Sequence, residues 1–195
     1  MSKDYSLGPA LHDLSDSVDD QYLSALRFAL KHLQSGIALE FGVGSGRSLR
    51  EIAQRTQVIG FDVFTGLPEF WRPGFPQGTF ACEPPEVDNA TTIPGLFEDT
   101  LSHFDLESID FINLLHVDCD LYSSTKTVLE HAGPYLKTGA IVVFDEWHGY
   151  PGADGDHEQL AWTEYVQDTE MSWEVLGHGP EQWIIRITHG RQSNA

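Results

Sequence analysis

Positive charge is what this 195-residue chain has least of: 11 lysines and arginines stand against 30 aspartates and glutamates, a formal net charge of −19. A surface this acidic repels phosphate backbones and anionic lipid, so neither nucleic acid nor a membrane surface is expected as a partner. Cysteine is nearly absent. The two present, Cys82 and Cys119, lie far apart in no metal-type spacing, which excludes a disulfide framework and fits a reducing compartment. Long apolar runs are missing as well. No stretch approaches about 18 residues, and the opening "MSKDYSLGPALHDLSDSVDD" has no signal-peptide core. A cytoplasmic location is expected. There is no internal repeat or low-complexity tract, and the length suits one domain over residues 1–195.

What is present is an alternation of helix and strand patterns. Residues 1–17 read as a loose arm. From Val18 to Leu33, apolar residues at Tyr22, Leu23, Leu26, Ala29, Leu30 and Leu33 share one helical face, and Gly36 stops the helix. Arm and helix together make residues 1–35 an N-terminal unit. "IALEF" (37–41) is a short buried strand running into "GVGSGRS"; a helix with Leu49, Ile52 and Ala53 inward follows, then the strand "VIGFD" (58–62). This order implies parallel strands joined by a right-handed crossover. "FINLLHVD" (111–118) and "AIVVFD" (140–145) are further strands, separated by a helix over about 123–132 whose first residues, Ser123, Ser124 and Thr125, can serve as N-caps. Residues 157–168 fit a helix. "WEVLG" and "QWIIRI", joined by "HGPE", form an antiparallel hairpin at the sheet edge. The fold class expected is therefore α/β: a Rossmann-like, doubly wound, mostly parallel seven-stranded sheet with an antiparallel C-terminal hairpin, in which six strands can be placed from pattern.

Residues 64–95 break the alternation. They hold Pro68, Pro73, Pro76, Pro84, Pro85 and Pro94, too many for a helix or a central strand, together with Phe64, Phe70, Trp71, Phe75 and Phe80. A purely solvated loop has no use for five large aromatics, so a lid-like insertion that walls a substrate site is expected.

Carboxylates recur at strand ends. Glu40 closes the first strand and Asp62 the second; Asp118 and Asp120 follow the third long strand, and Asp145 and Glu146 the fourth. In a doubly wound sheet the carboxyl ends of parallel strands share one edge, where ligands bind, so these acids converge. Gly42, Gly44 and Gly46 supply a tight turn and close backbone approach to a ligand. Asp62, about twenty residues on, suits the ribose hydroxyls of a nucleoside. The G-x-G-x-G spacing differs from the dinucleotide pattern, and Glu40 ahead of it would repel a pyrophosphate but attract an ammonium group. A nucleoside bearing an amino acid is favoured. A nucleotide-binding oxidoreductase, or a cofactor-binding module without metal-dependent catalysis, remains as the alternative.

"ALEFGVGSGRSL" resembles motif I of class I S-adenosylmethionine-dependent methyltransferases. "VIGFDVFTGLPE", "GLFEDTL", "LLHVDCDLYSSTKTVLEHAGPYLKTGAIVVFDEW" and "WEVLGHG…QWIIRI" are similar to the macrocin O-methyltransferase family, which includes the mycinamicin and novobiocin sugar O-methyltransferases. The resemblance covers roughly residues 36–187. It implies S-adenosyl-L-methionine as cofactor, with Glu40, Gly42, Gly44, Ser45, Gly46 and Ser48 toward its methionine end, Asp62 on the ribose, Phe64 and Asp118 nearby, and Phe97 and Asp99 by the adenine. It implies Mg2+ held by Asp118, Asp145 and Glu146, where the family usually carries two adjacent aspartates in place of Asp145-Glu146. Asp120 matches the family's general base. The implied partner is a small hydroxylated acceptor such as a sugar, and association between copies of the chain is common among such enzymes. His148, close after the acid pair, is a second candidate for base or substrate contact. Cys119, between the two aspartates, should point to the opposite face of the strand as a core residue. His116, inside the strand, ranks below His148 as a functional residue.

Overall fold

The central parallel strands, "IALEF", "INLLHV" and "IVVF", are buried on both faces, and their near-continuous apolar runs follow from that. The computed structural model describes residues 3–11, 18–167 and 169–190. The part of the expected arm at 12–17 lies outside the described residues. In chain order the elements are α1 (Val18–Leu30), β1 (Ile37–Phe41), α2 (Arg47–Ala53), β2 (Gln57–Asp62), β3 (Ala90–Pro94), α3 (Phe97–Leu101), β4 (Ile112–Val117), α4 (Tyr122–Ala132), β5 (Ile141–Phe144), α5 (His157–Gln167), β6 (Ser172–His178) and β7 (Trp183–His189). The seven strands form one sheet in the order β3-β2-β1-β4-β5-β7-β6. The first five are mutually parallel, while β7 runs antiparallel to both β5 and β6.

Helices cover both faces, as alternation along each strand requires. Ala38, Leu114, Ile141 and Val143 point to the side packed by α1 and α2, where Leu26, Leu49 and Ile52 meet them. Leu39, Phe41, Leu115, Val117 and Phe144 point to the side packed by α4 and α5, against Val128, Leu129 and Trp162. Leu115 is fully buried, and truncating such a residue to alanine costs about 2–5 kcal/mol. The sheet reverses its winding between β1 and β4, and a doubly wound sheet opens a crevice at that reversal.

Three expectations need correction. The seventh strand, β3, lies inside the 64–95 segment. It is an edge strand with a single neighbour, β2. Its Pro94 pairs opposite Asp62 at the very end of the ladder, a position where a missing N–H is tolerated. The hydroxyls of Ser123–Thr125 do not cap α4: its N-cap is Leu121, with no side-chain cap hydrogen bond. Nor is the described part of the arm loose. The Trp173 and Trp183 indoles donate to the Asp4 and Ser6 carbonyls at 2.7 and 2.8 Å, and Ala10 bridges to His178 at the end of β6. Residues 3–11 are strapped across the C-terminal hairpin.

The rest of the proline-rich segment folds on its own aromatic cluster. Leu67, Trp71, Leu121, Tyr150 and Ala153 bury one another, with Phe75 stacked edge-on to Trp71 at 5.0 Å. Phe70 and Phe80 remain exposed at 61% and 52%.

Candidate active site

A cleft of about 810 Å³ opens at the carboxyl ends of the parallel strands. The turn after β1, Asp62 at the end of β2, the start of α3, the turn after β4, and Asp145 and Glu146 after β5 all face it. Tyr22 of α1 and Trp71, Arg72 and Phe75 of the proline-rich segment close the opposite wall. Eight carboxylates and two arginines line it. Such a field suits a cationic ligand and opposes a pyrophosphate.

The glycine turn is built by two different constraints. Gly42, at φ +93°, lies against the β4 side of the crevice: a Cβ there would sit 1.5 Å from the Asp118 carbonyl oxygen. Gly44, at φ +49°, has nothing within 4 Å of where its Cβ would be. Its bare backbone is offered to the cleft. Asp62 holds the turn in place. One carboxylate oxygen accepts from the Val43 and Gly44 amides at 2.9 and 2.8 Å, and the other accepts from the Phe64 amide at 2.7 Å. A carboxylate has about four lone-pair sites, so Asp62 keeps capacity for a ligand hydroxyl.

The second turn follows β4. The Leu121 amide closes back on the Cys119 carbonyl at 2.6 Å. Asp120 takes the left-handed conformation, φ +64°, which costs an L-residue roughly 1–2 kcal/mol. This strain carries the chain sharply from strand into α4 and leaves Asp120 buried at the cleft wall. The chain has left strand geometry by this point, so simple alternation does not govern the Asp118–Asp120 pair. The Cys119 thiol packs inward against Thr125, 3.5 Å from its hydroxyl.

Crowding of acids shifts their ionisation. Burial, then the charge of Asp145, holds Asp118 well above the usual carboxylate range. The same two causes push Asp120 up to about 7. Glu146 and Glu158 are also held well above the ordinary glutamate value, by burial first and then by their acidic neighbours. Burial and the Glu181 carboxylate push the Tyr22 phenol up to about 12.

The strand position of His116 suggests a packing residue, yet it lies at the centre of the cluster. β1 and β4 pair in a register that sets Glu40 beside His116. The His116 Nδ1 is 3.0 Å from Glu40 Oε1, and its Nε2 is 3.7 Å from Asp145 Oδ1. Burial acts to lower the imidazole pKa, but Asp145 and Glu40 outweigh it and raise it well above the ordinary value. Among the described residues, His116, Asp118 and Asp145 present donor atoms that all lie within 4.8 Å of one another. The signal was legible in principle: in "HVD", His116 and Asp118 have the same strand parity.

Arg72 also escaped sequence reading, because its partners are distant in the chain. Its guanidinium lies 3.9 Å from the Trp71 ring centroid and 4.3 Å from that of Tyr150, with Glu181 at 3.6 Å.

The other sequence candidates divide by location. Gly42, Gly44, Ser45, Ser48, Asp62, Phe97, Asp118, Asp120, Asp145 and Glu146 border the cleft. Gly46 packs against Pro85 at the start of α2. Glu40 lies behind His116, fully buried, and does not reach the cleft surface. Phe64 is buried in the core, and Asp99 is exposed on α3 away from the cleft. His148 is outside it too: its Nε2 is 3.2 Å from the Gly179 carbonyl and its ring lies against His178 at 5.1 Å. Glu146 borders the cleft but stands apart from the His116 group. Its amide donates to Glu158 Oε2 at 3.0 Å, and its own Oε2 is buried without a partner.

The chain belongs to the methyltransferase-domain family, whose model matches residues 39–147, and its sheet, turn and cleft are those of a class I, S-adenosylmethionine-dependent methyltransferase. The match spans β1 through β5, the elements that carry the two turns and the acid cluster. Solved structures agree in fold. CalS11, a TDP-rhamnose 3'-O-methyltransferase of calicheamicin biosynthesis, is 26% identical over 86% of this chain and 79% of its own, with a TM-score of 0.59. The O-methyltransferase NovP is 21% identical over 87% and 80%, with a TM-score of 0.67. TomG from Streptomyces achromogenes, an O-methyltransferase of tomaymycin synthesis solved with S-adenosylmethionine, is 15% identical over 91% and 83%, with a TM-score of 0.54. Among functionally curated proteins, none matches significantly. No described helix is long and apolar enough to cross a membrane.

Proposed function

We propose that this protein transfers a methyl group from S-adenosylmethionine to a hydroxyl of a small natural product, a sugar or sugar-bearing molecule, with Asp120 as the base. One observation carries the reading: the bare Gly44 turn clipped by Asp62 and the strained, buried Asp120 open onto the same cleft. The O-methyltransferase neighbours support it; one of them acts on a nucleotide-linked sugar.

In this reading the Gly44–Ser48 turn takes the methionine end of the cofactor, Asp62 the ribose and Phe97 the adenine. The acidic lining favours the sulfonium electrostatically. The reaction is an in-line displacement on an already activated methyl, so the chain mainly supplies position. The acceptor hydroxyl is a poor nucleophile until its proton leaves. Asp120 takes that proton, and its raised pKa suits a base working near neutrality. The proline-rich wall, with Arg72 fixed between Trp71 and Tyr150, shapes the acceptor side and keeps water out.

The donor set beneath the acceptor fits a divalent cation. Asp118 and Asp145 supply carboxylate oxygens, and a buried nitrogen, His116 Nε2, has no hydrogen-bond partner. Such an ion would supply Lewis acidity to a bound alkoxide.

Calorimetric titration with S-adenosylmethionine, followed by transfer of its labelled methyl to nucleotide-linked sugars, tests the proposal. Micromolar cofactor binding with label in the sugar is expected. Absence of cofactor binding, or label found on nitrogen and none on oxygen, overturns it.

A further inference from the structure

We infer that the cation site of this cleft is a mixed nitrogen–oxygen site, with His116 Nε2 as a ligand beside Asp118 and Asp145, and that it takes a first-row transition ion such as Mn2+ in preference to Mg2+. The inference rests on the cleft described above and assigns its third ligand to a residue other than Glu146.

The geometry begins at β1. Glu40 is wholly buried, and the parallel register fixes its carboxylate beside the His116 ring. Glu40 Oε1 lies 3.0 Å from Nδ1. The carboxylate oxygen accepts, so Nδ1 carries the hydrogen, and Nε2 is the nitrogen turned toward the cleft. This carboxylate–histidine pairing is the arrangement that orients a metal-binding imidazole and raises its basicity. A histidine that merely filled core space would not need a buried carboxylate to fix its tautomer.

Nε2 itself is the second observation. The residue is 1% exposed, and this nitrogen has no hydrogen-bond partner. Other buried polar atoms here also lack partners, Glu146 Oε2 among them, but this nitrogen belongs to a group with two carboxylate donors. Its nearest acid, Asp145 Oδ1, is 3.7 Å away, too far for a hydrogen bond. Two ligands each ~2.1 Å from one ion stand roughly 3–4 Å apart, so the gap suits a shared ion. Asp118 completes a group whose donor atoms fall within 4.8 Å.

The chemistry of the set decides the ion. Mg2+ takes oxygen ligands and keeps its waters. Imidazole favours the later divalent ions, and affinity at a given N/O site rises from Mn2+ onward. One imidazole and two carboxylates make a site for such ions. Glu146, whose amide is tied to Glu158, is left as a cleft-wall carboxyl.

Mn2+ added to the metal-free protein, read by pulsed electron paramagnetic resonance, tests the ligand directly. A 14N coupling from imidazole is expected, together with weaker competition by Mg2+ than by Co2+. His116→Gln should remove the coupling, and Glu40→Gln should weaken Mn2+ binding about 10–100-fold, as loss of a ligand-orienting carboxylate does. Glu146→Gln should keep the coupling. Bound Mn2+ without 14N coupling overturns the assignment even if every variant fails to fold, as does Mg2+ outcompeting Mn2+ or no Mn2+ binding at all. Calorimetry with S-adenosylmethionine on the same protein separates these outcomes from failure of the methyltransferase reading, because cofactor binding does not depend on which side chain completes the metal shell.

Discussion

Gly42 lies against the carbonyl of Asp118, so close that a Cβ on Gly42 would sit 1.5 Å from that oxygen. The contact welds the glycine turn after β1 to the acid turn after β4, across the reversal of the sheet. Gly42→Ala must therefore move backbone against backbone, at a φ of +93° that L-residues avoid. A loss of more than about 3 kcal/mol is expected. Gly44→Ala meets no neighbour and should cost only about 1–2 kcal/mol, the left-handed penalty. Thermal melts of the two variants check this; equal losses would show that the Gly42 contact does not constrain the turn.

Asp62 makes a second prediction. Its oxygens accept three backbone amides, and Asp62→Asn replaces one oxygen with a donor aimed at donors. The cost expected is about 1–3 kcal/mol of stability. Cofactor affinity should fall about 10-fold or more if Asp62 holds the ribose as proposed, because the turn would loosen with it. Calorimetry decides between this and a purely structural role, in which affinity of the folded fraction would be unchanged.

Much of this site was legible before the fold was known, and the exceptions have physical causes. Asp62, Asp118 and Asp145 could be placed on one edge because buried strands followed by turns announce themselves in sequence, whereas Glu40, one residue short of the end of its strand, is turned into the core. The edge strand Ala90–Pro94 was hidden by its prolines, which only a strand with one neighbour tolerates. His116 was passed over because strand interiors are usually filled for packing; its meaning depends on the register that puts Glu40 beside it. His148 stands three residues beyond Asp145, yet the chain turns there and both Trp147 and His148 amides bond to the Glu181 carbonyl. Sequence proximity to Asp145 did not carry it into the cleft. Arg72 and its aromatic clamp join residues 71–75 to Tyr150, a contact with no local signature.

The acid cluster should make the metal-free protein less stable as pH rises. Asp120 has its folded pKa raised to about 7 by burial and Asp145, against about 3.9 when unfolded. Between these values the folded state binds more protons than the unfolded state, so stability is greatest near pH 4 and declines toward pH 7. Asp118, Glu146 and Glu158 are raised in the same direction and add to the slope. Melts in chelator from pH 4.5 to 8 should show a falling Tm, with a shallower fall in Asp120→Asn. Adding Mn2+ should lift the high-pH end most, since deprotonated ligands bind it. A Tm that rises with pH in chelator would contradict the raised carboxyls.

Asp120→Asn tests the proposed base. The asparagine fits the same buried turn and keeps the shape of the cleft, but it cannot accept a proton. Methyl transfer should fall about 10²–10⁴-fold, the usual worth of a positioned base, while the S-adenosylmethionine affinity stays as it was. In the unsubstituted enzyme, kcat/KM should climb with pH and level off above about 7, following Asp120. The variant should lose that inflection along with its rate. If the rate drops but the inflection survives, the proton goes to another group, and Asp120 positions the acceptor instead of deprotonating it.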